Sequence, residues 1–531
     1  MSESNCPSPG GVLTEPPTGF AEQETFLRAT FRSTLWWLLV VAGAFAILFA
    51  GSRAFHGDLW FDETWRVSLI DSSGWFNPPA PLPPAWVWFM RLASAVFGTS
   101  AFAFRAVGAG VLVAALAVGA RAVSSFVAPG WQRLAAAGAV ALAIAAPRVA
   151  FLGSYVNNYT ADVLFVAAVL LLISKLSQEP ARGRSAVALG ALLVLGPLFT
   201  VGGLFLLPVA GLRILTWSWR RGLRWWAFVG GTGALVAGST AAVYITVWKP
   251  ASSDALRGQW DVGTISSAGL HKALRRATEV QRVTLFNDRF LPFANDHVRL
   301  TNVLVALLGI VGMALLGRRN PWFAFTAVSA AAVTVGASTF LAWPLGPERV
   351  NLGWYWLLYA AAAFALLWPI GFVLHRLTHR IDPVGGLLVL AVFGLLAVTR
   401  ADRSAVLTRA VFPIGVTPAL KPIEGSSFER NRIIVYPPEL RYLAHDRFEN
   451  RRHKGHSYEV LPEVEHPEIG GPTAWRDIPP AAAGTAVWCV IVETQGDGAS
   501  GEEAACASRK DAPLFFDEQF GHTKVVAWVA R

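Results

Sequence analysis

Long apolar segments alternate with short polar ones over most of the chain. Many windows of about 18 or more residues carry almost no charge, which is the length that spans the hydrocarbon core of a bilayer. The predicted crossings are 34–51, 103–120, 134–151, 160–174, two within 185–214, 225–248, 300–316, 322–343, 351–374 and 385–398. The pattern predicts a mainly α-helical, polytopic membrane protein with about 11 transmembrane helices.

Two apolar segments depart from simple crossings. A proline-rich run at 78–84 excludes a regular helix there, and Arg91 interrupts the apolar residues 85–97 that follow. We expect 85–97 to form a helix that lies at the membrane interface. Within 185–214, Pro197 predicts a break between two short helices that form a hairpin.

Clusters of basic residues predict the orientation of these segments. If the crossings alternate as above, the clusters at 121–133, 175–184, 213–224, 318–319 and 375–380 all lie on one side, which the positive-inside rule identifies as cytoplasmic. Counting 85–97 as a crossing would move every later cluster to the wrong side. The sequence therefore predicts a cytoplasmic tail (1–33), outer loops at 52–102 and 249–299, and an extracytoplasmic C-terminus.

The composition agrees with a membrane protein that carries a small soluble domain. Charged residues make up 15% of the chain, against roughly 25% in soluble proteins. Residues 401–531 contain 15 Lys/Arg and 18 Asp/Glu, so the net charge of +10 comes from the membrane part and does not imply nucleic-acid binding. Short apolar runs at 433–436, 486–492 and 525–529 predict buried strands, and 440–448 predicts a helix. We expect 401–531 to form a small extracytoplasmic α/β domain.

The cysteines and histidines of this domain leave alternatives open. Cys489 and Cys506 could pair in an extracytoplasmic domain, or they could remain two free thiols. Four histidines at 445, 453, 456 and 466 lie scattered in polar sequence, which favours solvated side chains over a metal site. The domain contains neither a glycine-rich phosphate loop nor the spacing of a catalytic triad.

The first outer loop contains the acidic and aromatic segment DLWFDETW (58–65). Its aromatic rings favour the headgroup zone and would hold the loop against the bilayer. A carboxylate beside a low-dielectric boundary tends to have a perturbed proton affinity, which suits a general base. Asp62 and Glu63 are therefore candidate catalytic residues. The alternative is a solvated loop that contains two acids.

Further polar residues are predicted at the outer ends of the crossings. The candidates for substrate binding are Asp58, Asn157, Tyr159 and Asp162. Asp162 shares a helical face with Tyr159 and either contacts substrate or makes a buried structural hydrogen bond. Arg105 and Arg349 either snorkel to the headgroups or bind a phosphate through the planar fork of guanidinium donors.

Acids and arginines at one membrane surface suit a transfer reaction on a lipid-linked phosphosugar. The lipid chain lies in the bilayer and the phosphate lies at its surface. An arginine neutralises the phosphate as it leaves, while a carboxylate removes the proton of the acceptor hydroxyl. One such displacement would invert the anomeric centre.

Five segments resemble motifs of the GT-C superfamily, whose members are polytopic transferases that use polyprenyl-phosphate sugars, such as protein O-mannosyltransferases and aminoarabinose transferases. The segments are LWFDET (59–64), PPAW (83–86), FGTSAFAFR (97–105), YTAD (159–162) and WPLGPER (343–349). The resemblance covers roughly residues 34–400. It implies that Asp62 is the base, that Glu63 is a second acid or a metal ligand, and that Arg349 binds the lipid phosphate.

The sequence therefore predicts a glycosyltransferase of the cell membrane, with a polyprenyl-phosphate sugar as donor and an envelope glycan, lipid or protein as acceptor. The loop 249–299 and the C-terminal domain are expected to shape the acceptor cleft. Asp62 and Glu63 are candidate ligands for a divalent metal, and no other cofactor is expected. The alternatives are a transporter or flippase of lipid-linked glycans and an inactive GT-C-like assembly partner.

Overall fold

A computed structural model of the 531-residue chain provides the coordinates. The residues that it describes are 70, 82–98, 101–128, 131–144, 149, 156, 158–178, 183–219, 221–249, 264–266, 269–273, 298–341, 343, 348–378, 416–436, 448, 456–461, 480–492, 513–520 and 523–531. The predicted crossings 34–51 and 385–398, the predicted helix 440–448 except Phe448, and the tail 1–33 lie outside the described residues.

The membrane part of the described chain contains ten α-helices, one 3₁₀ helix and one π-helical extension. They are α1 (Pro84–Phe97), α2 (Ala101–Ser124), α3 (Trp131–Ile144), α4 (Tyr159–Gln178), α5 (Arg184–Phe199), a 3₁₀ helix (Gly202–Leu206), α6 (Leu207–Ser218), α7 (Leu223–Val243) with a π-helical extension (Tyr244–Trp248), α8 (Val298–Gly317), α9 (Trp322–Phe340) and α10 (Glu348–Thr378). Each predicted crossing between residues 103 and 374 corresponds to one of them.

The described part contains 5 helices that are long and apolar enough to cross a membrane. They are Ala103–Ser124, Tyr159–Gln178, Leu223–Val247, Trp322–Phe340 and Asn351–Val373. The helices α3, α5, α6 and α8 are also apolar but shorter. The chain is a multi-pass membrane protein, and the predicted number of 11 crossings is not confirmed.

Two long helices, α4 and α10, form the centre of the bundle. The helix α4 packs against α2, α5 and α10, and α10 packs in addition against α3 and α8. Small residues permit this close packing, since the run Ala360–Ala363 on α10 is almost fully buried. A Cβ at Gly312 on α8 would overlap the carbonyl group of Ala361, so the two backbones touch there.

The hairpin predicted around Pro197 is confirmed. The helix α5 ends at Phe199, two residues beyond Pro197, and Thr200 has an extended backbone. Proline inside a helix removes one backbone hydrogen bond and distorts the turn before it, which favours a break at this point. The chain then forms the 3₁₀ helix and returns as α6, which packs against α5.

The helix α1 has 14 residues, too few to span a bilayer. Pro84 begins it, where the missing N–H costs nothing, and Gly98 ends it with φ of 84°. One face is buried, including Trp86 and Met90, whereas Leu92 and Phe97 are exposed. This two-faced short helix agrees with the predicted position at the membrane interface.

The turns that contain the arginine clusters meet at one end of the bundle. Hydrogen bonds join them: Gln178 Nε2 donates to Ser125 O (2.9 Å), Arg213 Nη2 to Ser177 Oγ (3.1 Å) and Arg319 Nη1 to Val127 O (3.4 Å). The guanidinium of Arg213 also lies 4.8 Å from the ring centre of Trp322. We call this the arginine-rich end. The ends of α2, α4 and α6 and the start of α9 thus lie together, as the sequence predicts.

The C-terminal part forms a five-stranded mixed sheet with one helix. The elements are α11 (Val416–Glu424), β1 (Arg430–Tyr436), β2 (Ser457–Leu461), β3 (Ala486–Val492), β4 (Phe516–Phe520) and β5 (Thr523–Val529). The strand order is β2-β1-β3-β5-β4, with β1 parallel to β2 and β3 and with β5 antiparallel to β3 and β4. The three predicted strands are confirmed as β1, β3 and β5.

Both faces of this sheet are buried, which explains why its central strands are continuous apolar runs. One face, with Ile433 and Trp488, packs against α11 and Phe448, and the other contains Ile434 and Trp528. The buried Asn431 is paired at both polar atoms of its side chain: its oxygen accepts from Ser426 Oγ (2.8 Å) and Trp488 Nε1 (3.0 Å), and its Nδ2 donates to Phe428 O (2.7 Å). This network fixes the start of β1.

Cys489, in the middle of β3, is buried and forms a disulfide bond. The chain has two other cysteines, Cys6 and Cys506, and both lie outside the described residues. His456 contacts the backbone through its Nδ1, 2.9 Å from Phe428 O.

The contact between α8 and α10 gives a stability prediction. Replacing Gly312 with Ala should destabilise the protein by about 1–3 kcal/mol, because the new methyl group overlaps the backbone at Ala361. Gly238→Ala on α7 is the matched control, since nothing lies within 4 Å of its added Cβ. Thermal unfolding in detergent should show a lower midpoint for the first variant and no loss for the second. Equal midpoints would contradict the close contact.

Candidate functional site

Four segments meet at the end of the bundle opposite the arginine-rich end. A cluster of buried apolar side chains joins the first outer loop, α1, the start of α2 and the start of α4; it contains Ile70, Leu82, Trp86, Val87, Met90, Phe104, Val156 and Ala161. Residues that the sequence assigns to separate outer loops are therefore neighbours here. We call this the site end.

Two arginines are buried at the site end. Arg105 is only 4% exposed, and Arg91 is 8% exposed. The Nε of Arg91 donates to the carbonyl oxygen of Ile70 at 2.7 Å, so α1 is tied to the first outer loop. A buried guanidinium is costly unless its donors are paired, which makes such a contact a firm constraint on the loop. The sequence analysis treated Arg91 only as an interruption of an apolar run.

Asp162, in the first turn of α4, is 1% exposed and lies in a network of donors. Thr200 Oγ1 donates to its carboxylate, and further hydrogen bonds come from the side chain of Asn158 and from the backbone of Val201 and Gly202. The hydroxyl of Thr200 also accepts from the Gly203 N–H at 2.8 Å. Asp162 thereby fixes the break between α5 and the 3₁₀ helix.

The first turns of α10 lie against the same network. A Cβ on Gly353 would be 3.3 Å from the Cβ of Asp162 and 3.6 Å from the carbonyl carbon of Gly202, so glycine allows the helix to approach. Arg349 lies four residues earlier in α10 and hence at the same end of the bundle. Its side chain lies outside the described residues.

Of the two alternatives for Asp162, the described contacts are those of a buried structural hydrogen-bonding group. Tyr159 is also buried, 8% exposed, and belongs to the main hydrophobic core. The roles predicted for both residues in binding substrate remain predictions. The structure therefore places Tyr159, Asp162, Arg105 and the backbone of Arg349 at the same end of the bundle.

The outer loop 249–299 reaches the site end as well. Ile265 N donates to Ser338 Oγ at 3.0 Å, and Thr264 is fully buried. Ser338 lies in the last turn of α9, which leads through Trp343 into α10. Residues 264 and 265 of this loop are thus fixed at the end of α9.

Several predicted site residues cannot be located in this way. Asp58, Asp62, Glu63 and Asn157 lie outside the described residues. Among the residues that the structure does describe, no group of three or more His, Cys, Asp or Glu side chains could hold a metal ion. The predicted metal ligands, Asp62 and Glu63, stay predictions.

The sequence analysis missed three buried polar residues at this end: Asn158, Thr200 and Asn351, which are all at most 6% exposed. Each stands at the boundary of an apolar helix. A polar side chain at that position, in a segment that otherwise contains few such groups, is the signal that could have identified them.

The link between Asp162 and Thr200 gives a second prediction. Thr200→Val keeps the shape of the side chain but removes the donor to Asp162 and the acceptor for Gly203 N–H. We expect a loss of about 1–3 kcal/mol, because buried polar groups are left unpaired. Thr200→Ser, which keeps the hydroxyl, should lose much less. Thermal unfolding in detergent compares the two variants, and an unchanged midpoint for the valine variant would refute the network.

Comparisons with known proteins bear on the fold. No protein-family model matches the sequence, and no curated protein matches it. Among solved structures, the chain resembles ArnT from Cupriavidus metallidurans in the apo state (TM-score 0.52) and bound to undecaprenyl phosphate (TM-score 0.51). In both cases the identity is 14%, and the match covers 93% of this chain and 98% of ArnT.

A more distant resemblance is to the Archaeoglobus fulgidus oligosaccharyltransferase in its apo form, with a TM-score of 0.41, 12% identity, and coverage of 78% of this chain and 63% of that one.

ArnT is an aminoarabinose transferase of the GT-C type. At 14% identity the resemblance establishes the fold and not the reaction. The chain has the fold of ArnT over nearly its whole length, and the GT-C resemblance is confirmed at that level.

Proposed function

We propose that the protein transfers a monosaccharide from a polyprenyl-phosphate donor to a cell-envelope acceptor at the outer face of the membrane. The acceptor hydroxyl loses its proton to Asp62 and attacks the anomeric carbon. The bond from that carbon to the phosphate oxygen breaks, and the polyprenyl phosphate leaves with the charge. Arg349 and Arg105 stabilise this charge. A single displacement of this kind inverts the anomeric centre.

The observation that carries the proposal is the convergence at the site end. Arg105, Asp162 and the backbone of Arg349 come from three separate helices, and all lie at the end opposite the arginine-rich end. Positive charge concentrates on the cytoplasmic side of membrane proteins. This distribution supports a site that faces outward, and it supports a specific use for the two arginines found there.

The fold supports a lipid-phosphate donor. ArnT, which shares the fold over 93% of this chain, has been solved with undecaprenyl phosphate bound. A lipid of this class keeps its hydrocarbon in the bilayer and places its phosphate at the surface, where a guanidinium can form two parallel hydrogen bonds with it. A fold of this kind thus needs no soluble nucleotide-sugar site.

The C-terminal domain supports the same orientation. Cys489 forms a disulfide bond in the buried core of the sheet. Disulfides persist in oxidising compartments and are rare in the cytosol. An extracytoplasmic domain, together with the loop fixed at Ser338, would border the site and form the acceptor cleft.

The proposed base gives a direct test. Asp62→Asn should reduce transfer from a polyprenyl-phosphate sugar by about 10²-fold or more, because the amide cannot remove the acceptor proton. Release of the lipid phosphate from a panel of such donors measures the reaction. Glu429→Gln, at an exposed position in the C-terminal domain, serves as the matched control for removal of one acidic charge. Undiminished transfer by the Asp62 variant would refute the assignment.

The proposed phosphate ligand gives a separate test. Arg349→Ala should weaken binding of undecaprenyl phosphate by about tenfold or more, because charge-assisted hydrogen bonds contribute roughly 1.5–3 kcal/mol each. Arg349→Lys keeps the charge without the planar fork and should be intermediate. Binding to the purified full-length protein is the readout. Equal affinity of all three proteins would remove Arg349 from the donor site.

A further inference from the structure

Trp343 and Asn351 form a hydrogen bond across the segment that contains Arg349. The indole Nε1 of Trp343 donates to the side-chain oxygen of Asn351 at 3.0 Å. Trp343 follows the end of α9, and Asn351 lies in the first turn of α10. Seven residues lie between them, and this bond joins the two ends of that segment. We call it the Trp343–Asn351 clasp.

Trp343 is fixed by two further contacts. Its ring meets the ring of Phe205 edge to face, with centres 5.2 Å apart, and its backbone N–H donates to Ala337 O at 3.2 Å. Phe205 belongs to the 3₁₀ helix, which the Asp162–Thr200 pair holds in place. The indole is therefore fixed relative to α9 and to the 3₁₀ helix before it reaches α10.

Asn351 is fully buried near the start of a long apolar helix. An amide in such surroundings costs free energy unless it is paired, and the Trp343 indole provides a donor to its side-chain oxygen. Two residues later, Gly353 packs against Asp162 and Gly202. The first turns of α10 are thus held on two sides, by the clasp and by the packing at Gly353.

Arg349 lies two residues before Asn351, in the same first turn of α10. The direction in which its side chain leaves the helix depends on the position of this turn. Transfer between two bound groups is sensitive to displacements of about 1 Å, and unrestrained loop residues cost conformational entropy when a ligand orders them. The hydrogen bond that holds the first turn of α10 removes part of that cost.

We propose that Trp343 and Asn351 are positioning residues, which hold the first turn of α10 so that Arg349 meets the phosphate of the lipid donor without reorganisation. The inference rests on the proposed function, in which Arg349 binds that phosphate. Neither positioning residue needs to touch the donor.

Trp343→Phe tests the clasp most directly. Phenylalanine retains an aromatic ring against Phe205 but has no N–H to donate to Asn351. We expect the Kd for undecaprenyl phosphate and the KM for the sugar donor to rise roughly five- to tenfold, the equivalent of one lost hydrogen bond. The kcat should change by less than about twofold, because bound donor still meets the same catalytic groups.

Trp354→Phe is the matched control. Trp354 lies in the second turn of α10, close in sequence to the clasp; like Trp343 it is partly buried, and its buried Nε1 has no hydrogen-bond partner among the described residues. The substitution removes an equivalent N–H group that makes no bond, so the Kd for undecaprenyl phosphate should stay unchanged. A rise in Kd in both variants would show a general effect of tryptophan loss and would overturn the proposal.

A double-mutant cycle provides a second test, which remains usable if one variant folds poorly. Asn351→Leu removes the acceptor, and its effect on Kd should match that of Trp343→Phe. The double variant should be no worse than either single variant, because both changes break the same bond. Fully additive effects on Kd would show that the two residues act independently and would overturn the clasp.

Arg349→Ala separates failure of this inference from failure of the proposed function. If Arg349→Ala weakens binding of undecaprenyl phosphate while Trp343→Phe does not, the clasp is structural only, and the donor site stands. If Arg349→Ala leaves the Kd unchanged, the proposed donor site fails, and the positioning role fails with it. A fall in unfolding temperature for Trp343→Phe without a change in Kd likewise contradicts positioning.

Discussion

The cost of burying a polar group in apolar surroundings is the constraint on which the site end depends. Asp162 is nearly inaccessible, yet its carboxylate is surrounded by donors from Thr200, Asn158 and the backbone that follows α5. These donors come from different parts of the chain, so satisfying one side chain also fixes the relative positions of α4 and the 3₁₀ helix. The break after Pro197 makes this possible, because it frees backbone N–H groups that a continuous helix would use internally.

The polar side chains at the two ends of the bundle form different kinds of contact. The arginine-rich end uses long side chains that bond to neighbouring turns and lie over tryptophan rings, such as Arg221 over Trp217 at 4.1 Å. Such groups suit a boundary between lipid and water. The site end instead buries its polar groups in short, closely paired contacts. Rigid contacts of this second kind are those that a reaction needs in order to hold two substrates in a fixed geometry.

Much of the fold could be predicted because the apolar pattern is strong. The segments of about 18 apolar residues, and the short apolar runs that form β1, β3 and β5, are apolar on every side because every side is buried in lipid or protein. The edge strands β2 (Ser457–Leu461) and β4 (Phe516–Phe520) were missed, since edge strands carry polar and charged residues that interrupt an apolar run. The number of crossings is harder to predict, because short helices such as α5 and α6 are as apolar as a transmembrane helix but have fewer residues.

The site was predictable in position and less so in its contacts. If the crossings alternate in direction, Arg105, Asp162 and Arg349 lie at one end of the bundle. The helices α2, α4 and α10, which contain these residues, begin at that same end in the structure. Thr200 and Asn351 are visible in the sequence as polar residues at the boundaries of apolar segments, but the hydrogen bonds that they form leave no periodic trace, so their partners could not be derived. Their complete burial appears only in the structure.

The proposed approach of Asp62 to the start of α10 can be measured directly. A pair of substitutions, Asp62→Cys with Arg349→Cys, should be joined by a short bifunctional thiol reagent in intact membranes, and the product should be detectable after proteolysis between the two positions. Pairing Asp62→Cys with Arg319→Cys, at the arginine-rich end, should give no such product. Cross-linking of the second pair, or failure of the first although both thiols react singly, would contradict the account.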